Sequence, residues 1–250
     1  MPNTQFLMKK TLYIWLIIFA SCQPKNNTDL DFTESFPLKI KEPSGLAYHP
    51  QNHTLYIVSD HGYIAETDLQ GKILRKSKKI DKDLEAVCYH RQEIIVASEK
   101  KRMFYKLNNQ FQVTQKQRIS YKGSKNKGFE SLTYNEAKNC YVAISEKVPA
   151  TLIELNDELE IIAKHKLKIK AKDISDATYF NGFIWLLSDE NKMIFQCNPN
   201  DYQIHQSYHI KIAKPEGICF DKQGNLYICS DSAERLFVFE KAIPISDKNP

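Results

Sequence analysis

Residues Lys214 to Asp231, KPEGICFDKQGNLYICSD, decide the fold. An acid and a small residue, Glu216 and Gly217, open the short apolar run Ile218–Phe220. Asp221-Lys222-Gln223-Gly224-Asn225 then reads as a turn, because Gly and Asn accept positive φ. A second apolar run, Leu226–Cys229, ends in Ser230-Asp231. The same unit returns along the chain. Its ending is IVSD at Ser59, VASE at Ser98, AISE at Ser145, LLSD at Ser188 and ICSD at Ser230, in steps of 39, 47, 43 and 42. Its opening is PSGLAY at Ser44, LEAVCY at Glu85, FESLTY at Glu130, ISDATY at Ser175 and PEGICF at Glu216, in steps of 41, 45, 45 and 41. Two independent markers that keep one period establish a repeat protein.

Each unit holds four short runs of β-branched and aromatic residues separated by turn signals, and no stretch keeps a helical period. A period near forty with four strands per unit predicts an all-β chain, a five-bladed β-propeller of four-stranded antiparallel blades. The outer strands are expected at residues 35–40, 73–80, 111–120, 161–169 and 207–212. Only a polar tail follows Arg235–Phe239, so the strand at residues 35–40 should pair with it and complete the last blade. That closure leaves no open edge between the two chain ends. The propeller is expected over residues 34–245.

Residues 1–21 read as a targeting segment. Lys9-Lys10 precedes the apolar run Thr11–Ala20, which is too short to span a bilayer. Ala20-Ser21-Cys22 resembles a bacterial lipoprotein signal, in which Cys22 would be lipidated and become the first mature residue. Residues 22–33 are polar and read as a tether. The expectation is a lipid-anchored monomer on the periplasmic side of the cell envelope, attached to the membrane by its lipid alone. The net charge is +5, two of it from Lys9 and Lys10. That is too weak to argue for nucleic acid, and no base-stacking motif or basic helix supports it. The lysine-rich outer strands, with Lys76, Lys164 and Lys166 among them, read as a solvated, protected edge. Cys88, Cys140, Cys197, Cys219 and Cys229 are odd in number and irregular in spacing, so they read as small core residues. No CxxC or His-rich pattern suggests zinc.

In a propeller the residue opening the inner strand and the residue ending the next strand share one face. Ser44, Glu85, Glu130, Ser175 and Glu216 are therefore expected around the mouth of the central channel. Asp60, Glu99, Glu146, Asp189 and Asp231 should form a second ring outside it. Asp176 adds an acid beside Ser175, and Glu42 one near Ser44. Converging carboxylates bind protons or a cation. Oxygen ligands without His or Cys favour Ca²⁺ over zinc or copper. The candidate metal ligands are Glu85, Glu130 and Glu216, with Ser175 or Asp176 nearby. The alternative is that the glutamates bind backbone amides at the strand starts. The Ser-Asp/Glu endings suit turn capping. The bases that follow them suit either ion pairing or a collar for an anionic small molecule. No GxSxG or Cys-His motif is present. His61 is the one histidine expected at this face and the sole general-base candidate, whereas His49 and His90 should lie at the opposite face.

These openings, Pro43–Leu46, Leu84–Val87, Phe129–Leu132 and Pro215–Ile218, together with the Ser-Asp/Glu strand ends, resemble the SdiA-regulated (YjiK-like) family over roughly residues 35–240. The unit Pro215–Asp231 is also similar to an NHL repeat. The resemblance implies a five-bladed propeller on the cell-envelope side with calcium near the channel. Related esterase-like and phytase-like propellers imply an alternative, a calcium-dependent hydrolase of phosphoesters or lactones, beside a module that binds an anionic molecule or an envelope protein. Ser44 and Ser175 depart from the acid pattern, which implies a lopsided metal site.

Overall fold

The second strand of each unit reads as an unbroken apolar run because both of its faces are buried. In Leu186 and Leu187 the side chains point opposite ways, one into the joint with the preceding blade and the other into the joint with the next. The computed structural model describes residues 28–119, 128–145 and 149–242. The expected signal segment, Cys22 and Glu146 lie outside them.

The chain enters through β1 (Thr28–Leu30) and β2 (Glu34–Pro37). Blade 1 is β3 (Pro43–His49), β4 (Thr54–Ser59), β5 (Tyr63–Thr67) and β6 (Ile73–Lys76). Blade 2 is β7 (Leu84–His90), β8 (Glu93–Ser98), β9 (Met103–Leu107) and β10 (Val113–Arg118). Blade 3 is β11 (Phe129–Asn135), β12 (Cys140–Ser145), β13 (Thr151–Leu155) and β14 (Ile161–Lys166). Blade 4 is β15 (Asp176–Phe180), β16 (Phe183–Ser188), β17 (Met193–Cys197) and β18 (Ile204–Ile210). Blade 5 is β19 (Pro215–Phe220), β20 (Leu226–Ser230) and β21 (Arg235–Phe239), completed by β2. The five-bladed propeller is therefore as the repeat predicts. Strands within each blade are antiparallel.

Closure occurs where expected, with a shorter strand. β2 pairs with β21 from Glu34 opposite Val238 to Pro37 opposite Arg235. Pro37 has no N–H to extend the ladder. Leu38 and Ile40, expected in the strand, instead fall into the core between blades 5 and 1. The segment expected as a tether is structured from Thr28. β1 lies parallel to β18, Asp29 opposite His209, as a fifth strand of blade 4. The free edge groups of β18 offer it a ladder. Phe32 then packs edge-on against Phe237, 4.9 Å between centroids. Lys211 Nζ reaches Asp31 Oδ1 at 3.0 Å.

Five apolar clusters fill the five joints between neighbouring blades. All five described cysteines are buried and free. The outer strands alternate exposed and half-buried residues, as solvated edges should. Near the axis the blades touch through backbone, and small residues permit it. A Cβ on Gly217 would stand 2.6 Å from Cys229 Sγ and 2.9 Å from Leu46 N. Gly217→Ala should therefore strain the joint between blades 5 and 1 and cost about 1–3 kcal/mol. Urea denaturation measures this, and an unchanged midpoint would show that the joint does not need the glycine.

Candidate functional site

The inner strands start with an irregularity that aims a side chain into the channel. Leu84 pairs with Ser98 and Ala86 with Ala97, so Glu85 is an extra, bulged residue. Ser44, Glu130 and Glu216 are bulged in the same way in blades 1, 3 and 5. A bulge re-aims its side chain and twists the strand locally. Blade 4 pairs without a recorded shift, and Ser175 instead donates its N–H to Leu187 O at 2.9 Å.

The serines that end the second strands are structural. Ser59 Oγ donates to Lys41 O at 2.6 Å, Ser98 Oγ to Lys82 O at 2.9 Å and Ser230 Oγ to Ala213 O at 2.6 Å. Each ties the strand end to the segment entering the inner strand of its own blade. The following acids continue the tie through backbone: Asp60 N–H bonds Glu42 O, Glu99 N–H bonds Asp83 O and Asp231 N–H bonds Lys214 O. Glu42, Asp83 and Lys214 all have positive φ there.

These ties gather the acids around a cavity of about 280 Å³. Nine carboxylates, two serines and one lysine line it. Ser44, Glu85, Glu130, Ser175 and Glu216 meet there, as expected of the inner ring, with Asp60, Asp189 and Asp231 of the outer ring. Glu99 is not among the lining residues; its Oε1 accepts the Gly128 N–H at 3.2 Å. Asp176 is placed elsewhere. It is fully buried, and its oxygens accept N–H groups of Ile218 (2.9 Å), Ala177 (2.8 Å) and Leu46 (3.3 Å). It joins blades 4, 5 and 1 near the axis. Ser175 Oγ donates to Pro215 O at 3.0 Å. His61 Nε2 sits 3.2 Å from Glu42 Oε2 and does not line the cavity.

A third position in the repeat, of which the sequence reading named only Glu42, also supplies the mouth. Two residues before each ring residue stand Glu42, Asp83, Gly128, Asp173 and Lys214. Asp173 restores an acid to blade 4, where Ser175 replaces glutamate. It accepts from Ser188 Oγ at 2.5 Å and from the Glu190 N–H at 3.2 Å. Asp83, Asp60 and Glu85 each offer a carboxylate oxygen within 4.8 Å of the others. Aligning the five openings two residues further upstream would have shown this position.

Charge crowding is visible in the acidities. Burial, then Asp60, Asp83 and Glu99, push the Glu85 carboxyl up to about 9. Burial, then Asp189 and Asp231, push Glu216 up to about 8. Asp60 and Asp189 are also raised, chiefly by burial. Glu85 and Asp60 share a side-chain hydrogen bond that favours a proton on Glu85, and Asp60 also accepts from Ser44 Oγ. Of the two readings of the bases after the strand ends, ion pairing is the one seen at Lys100 with Asp83 and Lys101 with Asp81. Lys214 Nζ stands 3.6 Å from Asp231 Oδ2.

Residues 23–240 match the sequence profile of the SdiA-regulated family, and the chain belongs to that family. Among solved structures it is similar to glutaminyl cyclase of Myxococcus xanthus, with a TM-score of 0.71 and 14% identity over 85% of this chain and 97% of that one. Streptogramin B lyase aligns with a TM-score of 0.53 and 15% identity, covering 85% of this chain and 74% of that one. Virginiamycin B lyase of Staphylococcus aureus aligns with a TM-score of 0.50 and 14% identity, covering 79% and 66%. At these identities the likeness is one of fold. No curated protein matches the sequence.

Two outcomes are expected. A carboxyl raised in the folded protein binds more protons there than in the unfolded chain, so stability falls as pH rises between the two values. For Glu85 that window runs from 4.5 to about 9. In chelator the melting temperature should fall across it. Glu85→Gln should flatten the fall and melt above wild type near the upper end; a wild-type profile flat in pH would contradict the crowding. Separately, Asp176→Ala strands three backbone N–H groups and should cost about 1–3 kcal/mol in urea denaturation for each group left unpaired. No loss would mean the axis does not depend on it.

Proposed function

We propose that this member of the SdiA-regulated family is a cation-binding propeller, with Ca²⁺ at the acidic mouth, acting as a lipid-anchored binding module of the cell envelope. The observation that carries it is the Asp60–Asp83–Glu85 cluster, whose carboxylate oxygens lie within 4.8 Å of one another. Asp60 and Glu85 line a mouth that holds nine carboxylates against one lysine, and Asp83 stands beside them, paired with Lys100. An oxygen-only donor set suits a hard divalent cation, and the cation relieves the repulsion that holds protons on Glu85 and Glu216. Glu85, Asp60 and Asp83 would hold it, with Glu130 and Glu216 across the channel.

Binding is preferred over hydrolysis because the lining offers carboxylates, serines and a lysine, while the one histidine candidate, His61, pairs with Glu42 outside the cavity. An anionic small molecule would find net negative charge here and would have to engage through the cation. An envelope protein could dock on the same face by the same route. Cys22 would fix the propeller to the membrane from β1, whose end lies on the outer edge of blade 4.

Calorimetric titration of Ca²⁺ into chelator-stripped protein tests the reading. Binding at neutral pH should release protons, seen as a dependence of the heat on the buffer's ionisation enthalpy, and should tighten as pH rises. Glu85→Gln/Glu216→Gln should weaken binding at least tenfold. Unchanged affinity in that variant would remove the cation from the mouth.

A further inference from the structure

The inner strands end as regularly as they begin. Four residues beyond each ring position stand Tyr48, Tyr89, Tyr134, Tyr179 and Phe220. At about 3.3 Å per residue this is roughly 13 Å down the channel. The five rings line a second cavity, of about 150 Å³, at the end opposite the acids. In blades 1, 2 and 4 the residue after the aromatic stacks on the aromatic of the next blade. His49 stacks on Tyr89 at 4.3 Å and 24°, His90 on Tyr134 at 3.4 Å and 12°, and Phe180 on Phe220 at 4.4 Å and 10°. Three of the five rings, Tyr89, Tyr134 and Phe220, are thus held by stacking before any ligand arrives.

Its electrostatics favour positive charge. Aromatic faces are negative and attract cations. The lining contains one carboxylate, Glu136, and no Lys or Arg; Arg91, just outside it, lies 5.6 Å from the Tyr134 ring centroid, and its charge is paired with Asp157 at 3.6 Å. It also leaves polar atoms unmatched. Tyr134 is 5% exposed, and its hydroxyl has no protein partner among the described residues. Nor has His90 Nε2. Burial lowers the pKa of His90, so the imidazole is neutral near pH 7 and carries an acceptor nitrogen. Buried polar atoms of this kind are normally matched.

We propose that the aromatic end of the channel binds a small organic ammonium that carries a hydroxyl. The ammonium lies among the tyrosine rings with Glu136 at the rim, and the hydroxyl, both donor and acceptor, takes up Tyr134 Oη and His90 Nε2, which neighbouring side chains cover in the free protein, after a small turn of those two rings. A cavity of this volume admits a ligand of about six or seven heavy atoms. The site is independent of the cation at the other mouth.

Choline and 3,3-dimethylbutan-1-ol have the same shape and differ in charge. Calorimetry of the full chain with each should show choline bound about tenfold or more tighter, the scale of a desolvated cation–aromatic contact. Glu136 is exposed, so Glu136→Gln should fold normally and weaken choline severalfold without affecting the alcohol. Tyr134→Phe should weaken both. Saturating Ca²⁺ and the Glu85→Gln/Glu216→Gln variant should leave choline binding unchanged. Equal affinity for the two probes, or no choline binding at about 10 mM, the top of the titration and well above the affinity expected of a built site, would overturn the proposal. So would loss of choline binding in the double glutamate variant, which would place the ammonium among the acids.

Discussion

The structure depends on five inner strands being brought side by side around one axis. Neighbouring backbones approach so closely there that a Cβ on Gly45 would lie 2.7 Å from Glu85 O. Bulged side chains escape that crowding by turning into the channel. Ser44, Glu85, Glu130 and Glu216 occupy the bulges, and each is followed by a small residue, Gly45, Ala86, Ser131 or Gly217. The acid and the small residue are thus two halves of one solution. One turns polar groups inward, and the other lets the next blade come near.

The cost of that arrangement is charge. Carboxylates driven together in a half-buried mouth must hold protons, gain donors or take a cation. The protein uses the first two in different places. Glu85 holds a proton shared with Asp60. Asp173 and Asp176 collect hydrogen bonds, Asp173 from Ser188 and the backbone of the following turn, and Asp176 from three blades, although burial still holds the Asp176 carboxyl well above the usual carboxylate range. Of these two, Asp173 still lines the mouth while Asp176 is sealed away from it. The opposite end solves its own crowding with rings, which stack from blade to blade and carry no net charge of their own.

Departures from five-fold symmetry mark where the channel is specialised. Blades 1 and 2 contribute the Asp60–Asp83–Glu85 cluster, while blade 5 replaces the equivalent of Asp83 with Lys214. Blade 4 alone carries a fifth strand, β1, and alone begins its inner strand with Asp176 turned into the protein. A repeat supplies the frame, and single substitutions within it set the local chemistry.

The blade count, the closing strand and the inner ring of the mouth were legible in the sequence, because they follow from a period of about forty and from which strand ends share a face. Glu85, Glu130 and Glu216 meet for that reason. Asp173, Glu190 and Lys214 were not foreseen at the mouth, and Glu99 and Asp176 lie outside its lining. The fate of each carboxylate was not legible. Asp176 and Ser175 are adjacent in sequence, yet one is sealed among backbone amides and the other lines the cavity. Register decides this, since a shift of one residue turns a side chain to the other face. The pairing of β1 with β18 was hidden too, because the polar segment carries no apolar period and the partner edge lies some 180 residues away. Sequence by itself determined the repeat and its ring; tertiary structure decided which acids are crowded, which are satisfied and which remain exposed to a ligand, because those depend on distances between blades that no single blade encodes.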